Sequence, residues 1–228
     1  MKDLIGDQVQ MDNMPFYGLA EAKIGGRDCV ISQSGFSGEA GYEIYLRNAT
    51  LYADDMWNAV LDAGKKHNLM VIAPAHHRRI QAGILSWGQD MDQEHNPFQC
   101  NLGYQVSLSG KGEWNKKGDY IGKQALEKMK ADLKAGNKPY QLQLVGMVLK
   151  GKPIEEYAPD FWLISDESGG DPLGYITSPW FHPERGENIA MGYVPFDGTV
   201  NENGFPMGNF GKKYKVHLPD LYADTPGK

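Results

Sequence analysis

The run Ile31–Leu46, ISQSGFSGEAGYEIYL, constrains the fold of this chain more than any other stretch. Gly35, Gly38 and Gly41 recur at every third position, among Ser34, Ser37 and Glu39. Glycines at that density mark backbone that turns through positive φ or that another group approaches closely. The residues that follow, Tyr42-Glu43-Ile44-Tyr45-Leu46, read as a strand. Tyr42, Ile44 and Leu46 then share one face, and Glu43 and Tyr45 share the other. Two readings of that second face are open. It is the solvated side of an antiparallel sheet, or it is the floor of a site for a flat heterocycle. A carboxylate accepts paired N–H bonds from such a ring, and an aromatic neighbour offers it a face or an edge.

The flanking sequence predicts a mixed fold. Gly25-Gly26, between Phe16–Ile24 and Asp28–Ser32, is a hairpin signal. A helix capped by Thr50 is expected to run to about Lys66, with Asp54 and Asp55 early and Lys65 and Lys66 late, as the helix dipole favours. Ala53, Met56, Trp57, Val60 and Leu61 form its apolar stripe. Leu69–Ile72 reads as a short buried strand. Pro74 opens a second helix with Ile80, Ile84 and Trp87 on its core face. Arg79 and Gly83 stand one turn apart on it. They mark either a close approach beside the guanidinium, or a surface arginine and a helix-packing notch. A strand over Tyr104–Leu108 and a polar loop through Lys117 lead to a third helix, carrying Leu126, Met129 and Leu133 and closed by Gly136.

After Pro139 the pattern changes. Leu142–Leu149, Phe161–Ser165, Leu173–Thr177, Ile189–Val194 and Tyr214–Leu218 are strand-like runs separated by Gly, Pro, Asn and Asp. Regular strands with turn chemistry predict a small barrel or sandwich. The fold class is therefore α+β. An α/β domain of antiparallel sheet with helices is expected over residues 1–138, followed by a β-barrel or sandwich domain over 139–228.

Composition excludes several functions. The net charge of −6 and the absence of a basic face argue against nucleic acid as partner. No apolar run approaches the ~18 residues of a membrane span, and the N-terminus has no signal-peptide core. Two cysteines, Cys29 and Cys100, read as separate reduced thiols of a cytoplasmic protein. Asp90–Glu94 resembles a calcium loop, but His95 occupies the position that needs glycine. His76 and His77 lack partners at metal-ligand spacing, so no metal is expected. Serine-hydrolase, dinucleotide-binding and P-loop patterns are missing.

In order along the chain, five blocks resemble the aminomethyltransferase family, the T-protein of the glycine cleavage system. SQSGFSGEAGYEIYL is similar to that family's folate-binding SRTGYTGEDGFEI, and RRIQAGILSWGQDMD to its LRLEAG followed by YGNDID. GDYIGKQAL, LVGMVLKG and GYITSPWFHPERGENIAMGYVP resemble its later blocks. WGQDMD followed by NPFQC is closer to the dimethylsulfoniopropionate demethylase branch. The resemblance covers only the later part of the family's length.

That resemblance implies a tetrahydrofolate-dependent one-carbon transferase, with a small methylated or aminomethyl donor as the other substrate. Glu43 corresponds to the glutamate that holds the pterin edge, Tyr45 to a neighbouring ring contact, and Arg79 to the arginine of LRLEAG, a cofactor-binding candidate that would help hold an anionic part of the ligand. Trp180, in SPWFHP on a barrel turn, is either a packed tryptophan or a π face for a methylated cation. Gln33, Phe36 and Ala40 replace the signature's Arg, Tyr and Asp, and Ala75 stands where T-proteins have the arginine of an ARD motif. No catalytic residue is assigned, because the family's catalytic aspartate lies in the half that has no counterpart here. The expectations that go with this are a fragment, a chain completed by another chain, or a non-catalytic folate-binding module. A final barrel strand is expected to be absent.

Overall fold

Leu19–Ile24 (β1) and Arg27–Ser32 (β2) pair antiparallel around Gly25 and Gly26, both at positive φ. In the computed structural model, residues 1–108, 118–158, 160–207 and 211–222 are described. Glu43–Leu46 (β3) joins the other edge of β2, giving the order β1-β2-β3. One face of this sheet buries Ala22, Ile24, Cys29 and Ile31. Ile5 of the short helix α1 (Lys2–Ile5) and Met56 of α2 (Ala49–Gly64) complete that core, with Ile44 and Leu46 packed against it.

Several local expectations are corrected here. Thr50 does not cap α2, which starts after Asn48 in left-handed geometry without a side-chain cap. Trp57 is half-exposed rather than part of the stripe. Leu69–Ile72 is not a buried strand: all four side chains are exposed. An extended apolar run becomes a strand only beside a neighbour that takes its backbone groups, and the described residues provide none there. The second helix is short, His76–Gln81 (α3). It stops because Gly83 adopts φ 73°, while Gly83 N–H reaches Ile80 O and Ile84 N–H reaches Arg79 O. This is a Schellman termination. Gly83 has nothing within 4 Å of a built Cβ, so it serves the turn and not a packing notch. Trp87, expected on the core face, is exposed.

The chain forms two compact units, Met1–Ile84 and Leu85–Lys228. The division expected at 138/139 falls inside the second of them. Leu133 of α4 (Lys123–Lys134) is fully buried against Phe98, Tyr140 and Phe196. The Gln143 amide also donates to Gln99 O and to Asn101 Oδ1. Residues 96–138 are thus tied to the strands that follow. Tyr104–Leu108 is no strand, since Gly103–Gln105 forms a 3₁₀ turn. The polar loop expected over 109–117 lies outside the described residues.

Five antiparallel strands make the sheet of the second unit: Leu142–Leu149 (β4), Trp162–Ser165 (β5), Gly174–His182 (β6), Glu187–Pro195 (β7) and Lys215–Val216 (β8). Their order is β4-β7-β6-β5-β8. The α+β class with antiparallel sheets is the one the sequence predicts. Leu149, Ile154, Trp162, Ile164, Ile176, Ala190 and Val194 form its core. Both cysteines are free and buried, and burial pushes each thiol up. Among the described residues no helix is long and apolar enough to cross a membrane.

Asp3 links α1 to the turn after α2 through Lys66 and His67. Hydrogen bonds from those two groups pull its carboxyl down to about 2. A depressed folded value contributes stability that is complete above the ordinary 3.8 and lost as pH falls towards 2. In an acid titration of the thermal midpoint, Asp3→Asn is expected to lose that part of the pH dependence and to match the native chain below the window.

Candidate functional site

Pairing geometry decides what surrounds Glu43. Ile44 and Leu46 are packed against the core, so Glu43 and Tyr45 lie on the opposite face of β3. The register sets Ser32 opposite Glu43 and Val30 opposite Tyr45. Ser34 donates to Glu43 Oε2, and its hydroxyl oxygen lies 2.8 Å from that of the buried Ser32. Tyr45 is half-exposed, and its hydroxyl is pushed up by partial desolvation and then by the Glu43 carboxylate beside it. A carboxylate offers about four acceptor positions, so the Ser34 bond leaves room for a ligand's paired N–H groups. Gln33 adds a buried Oε1 with no hydrogen-bond partner among the described residues. Orphaned acceptors of this kind mark places where water or a ligand donor is expected.

The glycine-rich turn is held from one side by α3. A Cβ on Gly38, which sits at φ 76°, would lie 2.3 Å from the Ala82 methyl. Glu39 pairs with Arg78 at 3.5 Å, and the Arg79 guanidinium lies 6.0 Å from the centre of the Phe36 ring. Gly35 meets nothing within 4 Å. Close approach is therefore required at Gly38, and the approaching group is the end of a helix. Arg79 is not a surface residue: it is 2 % exposed, and Nη1 donates to Ile84 O at 3.1 Å. Burial, and then the Arg79 charge, pushes His76 down.

Of the four residues singled out from sequence, Glu43 and Tyr45 come together. Arg79 belongs to the same unit, where it faces Phe36 and the Ile84 carbonyl. Trp180 lies in the second unit and sits within β6, opposite Ile189, instead of on a turn. It is half-buried there. Ser32 and Ser34 were not anticipated as partners of Glu43. The signal available for them was that Ser32 ends the strand beside Glu43 and Ser34 follows it by two residues.

A second carboxylate, also unanticipated, organises the other unit. Asp90 is fully buried, and its Oδ1 accepts from Thr177 Oγ1 and Ser178 Oγ, both at 2.5 Å. Ser86 N–H donates to Oδ2, and Tyr193 Oη donates to the Asp90 carbonyl at 2.7 Å. Adjacent strand residues normally point to opposite faces. Here a register shift between Ile176 and Ser178 breaks the alternation, so both hydroxyls reach one oxygen. The acidic run that resembles a calcium loop is thus engaged by protein groups, and Asp92 pairs with His95 Nδ1 at 2.7 Å. Among the described residues no group of three or more His, Cys, Asp or Glu is placed to hold a metal.

Residues 1–110 match the family model of the GCVT N-terminal domain. An aminomethyltransferase from Halothermothrix orenii is 31 % identical over 83 % of this chain and 48 % of its own length. The dimethylsulfoniopropionate demethylase DmdA of Ruegeria pomeroyi is also 31 % identical, over 85 % of this chain and 48 % of its own. The crystal structure of the glycine cleavage system aminomethyltransferase T from Bartonella henselae aligns with a TM-score of 0.64 at 22 % identity, covering 91 % of this chain and 49 % of that one. The chain spans about half the length of the curated relatives it matches.

The two clusters make separate predictions. Gly38→Ala is expected to destabilise the first unit by about 2–4 kcal/mol, from positive-φ strain and overpacking against Ala82. Ala82→Gly in that background should recover the steric share only, as read by denaturant melts. Asp90→Ala is expected to cost about 2–4 kcal/mol by leaving buried hydroxyls and an amide without their acceptor. Asp90→Asn, which keeps the shape and one acceptor oxygen, should cost less in the same melts.

Proposed function

From the kinship of this chain with the aminomethyltransferases and the dimethylsulfoniopropionate demethylases, we propose that it carries the folate-binding part of a one-carbon transferase. The observation that carries this reading is the Ser32–Ser34–Glu43–Tyr45 cluster, which lies inside the segment matched by the GCVT N-terminal domain. When bound, tetrahydrofolate supplies the N5 nucleophile that accepts a one-carbon unit from a sulfonium or amine donor. The chain's own part is to bind and orient.

Glu43 is a half-buried carboxylate with its Ser34 bond fixing one oxygen. It suits the two parallel N–H groups of an aminopyrimidinone edge, a charge-assisted pairing stronger than a neutral one. Tyr45, half-exposed on the same face, offers a ring contact to a flat heterocycle. Arg79 is buried against Phe36 and the Ile84 carbonyl and holds the turn that carries Ser34. Trp180, half-buried on β6, would offer a π face to a methylated cation. The small methylated or aminomethyl donor is the other substrate. The two relatives are equally similar to this chain, so they favour neither donor class. Two buried thiols suit a reducing compartment, and we place the protein in the cytoplasm.

A second reading is a folate-binding module without turnover, which the Glu43 cluster, built to bind and orient, supports equally. Assays with sulfonium, glycine-derived and sarcosine-type donors separate the two, since turnover by the isolated chain eliminates the module. Both require tetrahydrofolate binding. Titration calorimetry is expected to show saturable binding that weakens about 10–100-fold in Glu43→Ala, the loss of roughly 1.5–3 kcal/mol for a charge-assisted pair. Unchanged affinity in a folded Glu43→Ala variant would sink the assignment.

A further inference from the structure

The five-stranded sheet has two end strands, β4 and β8, and both line one cavity of about 1050 Å³. Among the described residues each end strand pairs with another strand along one side only. Leu144 N–H bonds to Gln99 O, and Asn101 Nδ2 donates to Leu144 O, so residue 144 aims its backbone groups away from β7. In an antiparallel pair that direction repeats at alternate residues. Gly146 and Val148 therefore present their amides and carbonyls to the free edge, and both are exposed. Their outward amides have no backbone partner among the described residues. On β8, His217 N–H bonds to Leu163 O, which turns Lys215 and His217 towards β5 and leaves Tyr214 and Val216 facing outward.

Side chains around this opening are sorted by the same alternation. Val145, Met147, Tyr214, Val216 and Leu218 all pack against the apolar core of the unit, giving the cavity a hydrophobic floor. The rim is cationic: Lys150, Lys213 and Lys215 are exposed lining residues, against the single acidic residue Glu167. Past Lys150 the chain is tied to the residues after β8, with Lys152 N–H bonded to Tyr222 O at 2.9 Å. Six residues of β4, Leu144–Leu149, line it together with Lys150 just beyond, a run of roughly 20 Å of extended chain.

We propose that this trough is a docking site for an extended peptide segment that adds a strand at the β4 edge. The chemistry it would take is an alternating segment, apolar side chains towards the floor and acidic side chains towards the lysine rim. Main-chain bonds to Gly146 and Val148 would provide affinity, and the alternation would provide selectivity. An unpaired edge beside an apolar floor is the arrangement that β-addition uses, and soluble proteins otherwise cover or blunt such edges. Charge complementarity selects the acidic class: the rim residues named above sum to an excess of lysine. This proposal is independent of the folate reading, since every residue in it lies in the second unit.

The test uses the whole chain and a fluorescein-labelled, N-acetylated eight-residue peptide that alternates valine and glutamate. Anisotropy should show saturable binding, and hydrogen exchange at Gly146 and Val148 should slow at least tenfold when the peptide is bound. A valine–lysine peptide of equal length should bind at least tenfold more weakly, and the double variant K213E/K215E should reverse that preference. If that variant fails to fold by circular dichroism, K150E carries the same comparison. Three results would overturn the proposal. One is exchange at Gly146 and Val148 that is already slow in the protein alone, which means the chain covers its own edge. Another is peptide binding that leaves those amides unchanged. The third is dodecanoate occupying the trough while neither peptide binds, which makes it an amphiphile pocket.

Discussion

Packing of the partly buried Ile44 and Leu46 against the core is the constraint on which the candidate site rests. Strand side chains alternate, so committing these two residues to the core beside Ile31 and Met56 places Glu43 and Tyr45 on the other face. Pairing with β2 then fixes what stands next to them. A slip of one residue would exchange the faces and put a carboxylate into the apolar core. Four residues of strand therefore carry both a packing decision and a chemical one. Ser32, directly opposite Glu43, is buried, which anchors the hydroxyl pair at the inner edge of the site.

The two carboxylates that organise the two units illustrate how environment assigns a role. Asp90 is fully buried and accepts from two hydroxyls and a backbone amide. Those bonds occupy most of its acceptor capacity, and such a group is structural in effect: it ties the Ser86–Asp90 turn to β6. Glu43 is half-buried, has Ser34 bound to one oxygen, and lies beside a half-exposed ring. Remaining acceptor capacity at a partly open position is what ligand recognition needs. Similar chemistry, read with its partners, separates a fastener from a carboxylate left open to a ligand.

How much of this was legible in the sequence depended on the range of the physics involved. Alternation and turn chemistry are local, and they located β1, β2, β3 and all five strands of the second unit, with Leu142–Leu149 matching end to end. The helix bearing Leu126, Met129 and Leu133, closed by Gly136 at positive φ, was equally legible. Failures came where tertiary context overrides the local pattern. Leu69–Ile72 has strand composition and no strand beside it. The apolar spacing of Ile80, Ile84 and Trp87 suggested a longer helix, yet the Schellman turn at Gly83 ends it first. The Asp90 clasp depends on a bulge in β6, and a bulge leaves no period in the sequence to detect. The glycine-rich turn was recognised, but the group that needed its glycine was not, because Ala82 is remote in sequence from Gly38.

That last contact explains how a buried arginine away from the carboxylate can still bear on it. The turn from Gln33 to Tyr42 is fastened to the end of α3 at three points: Gly38 against Ala82, Glu39 with Arg78, and Phe36 beneath Arg79. Ser34 lies at the start of the same turn and donates to Glu43. The Arg79 side chain also holds the Ile84 carbonyl, just past the Schellman turn. Helix end, glycine turn, serine hydroxyl and glutamate thus form one mechanical series. An effect of Arg79 on Glu43 would pass through this series, by way of Phe36 and the placement of Ser34. A guanidinium that is 2 % exposed is costly to bury, and its bond to the Ile84 carbonyl offsets part of that cost.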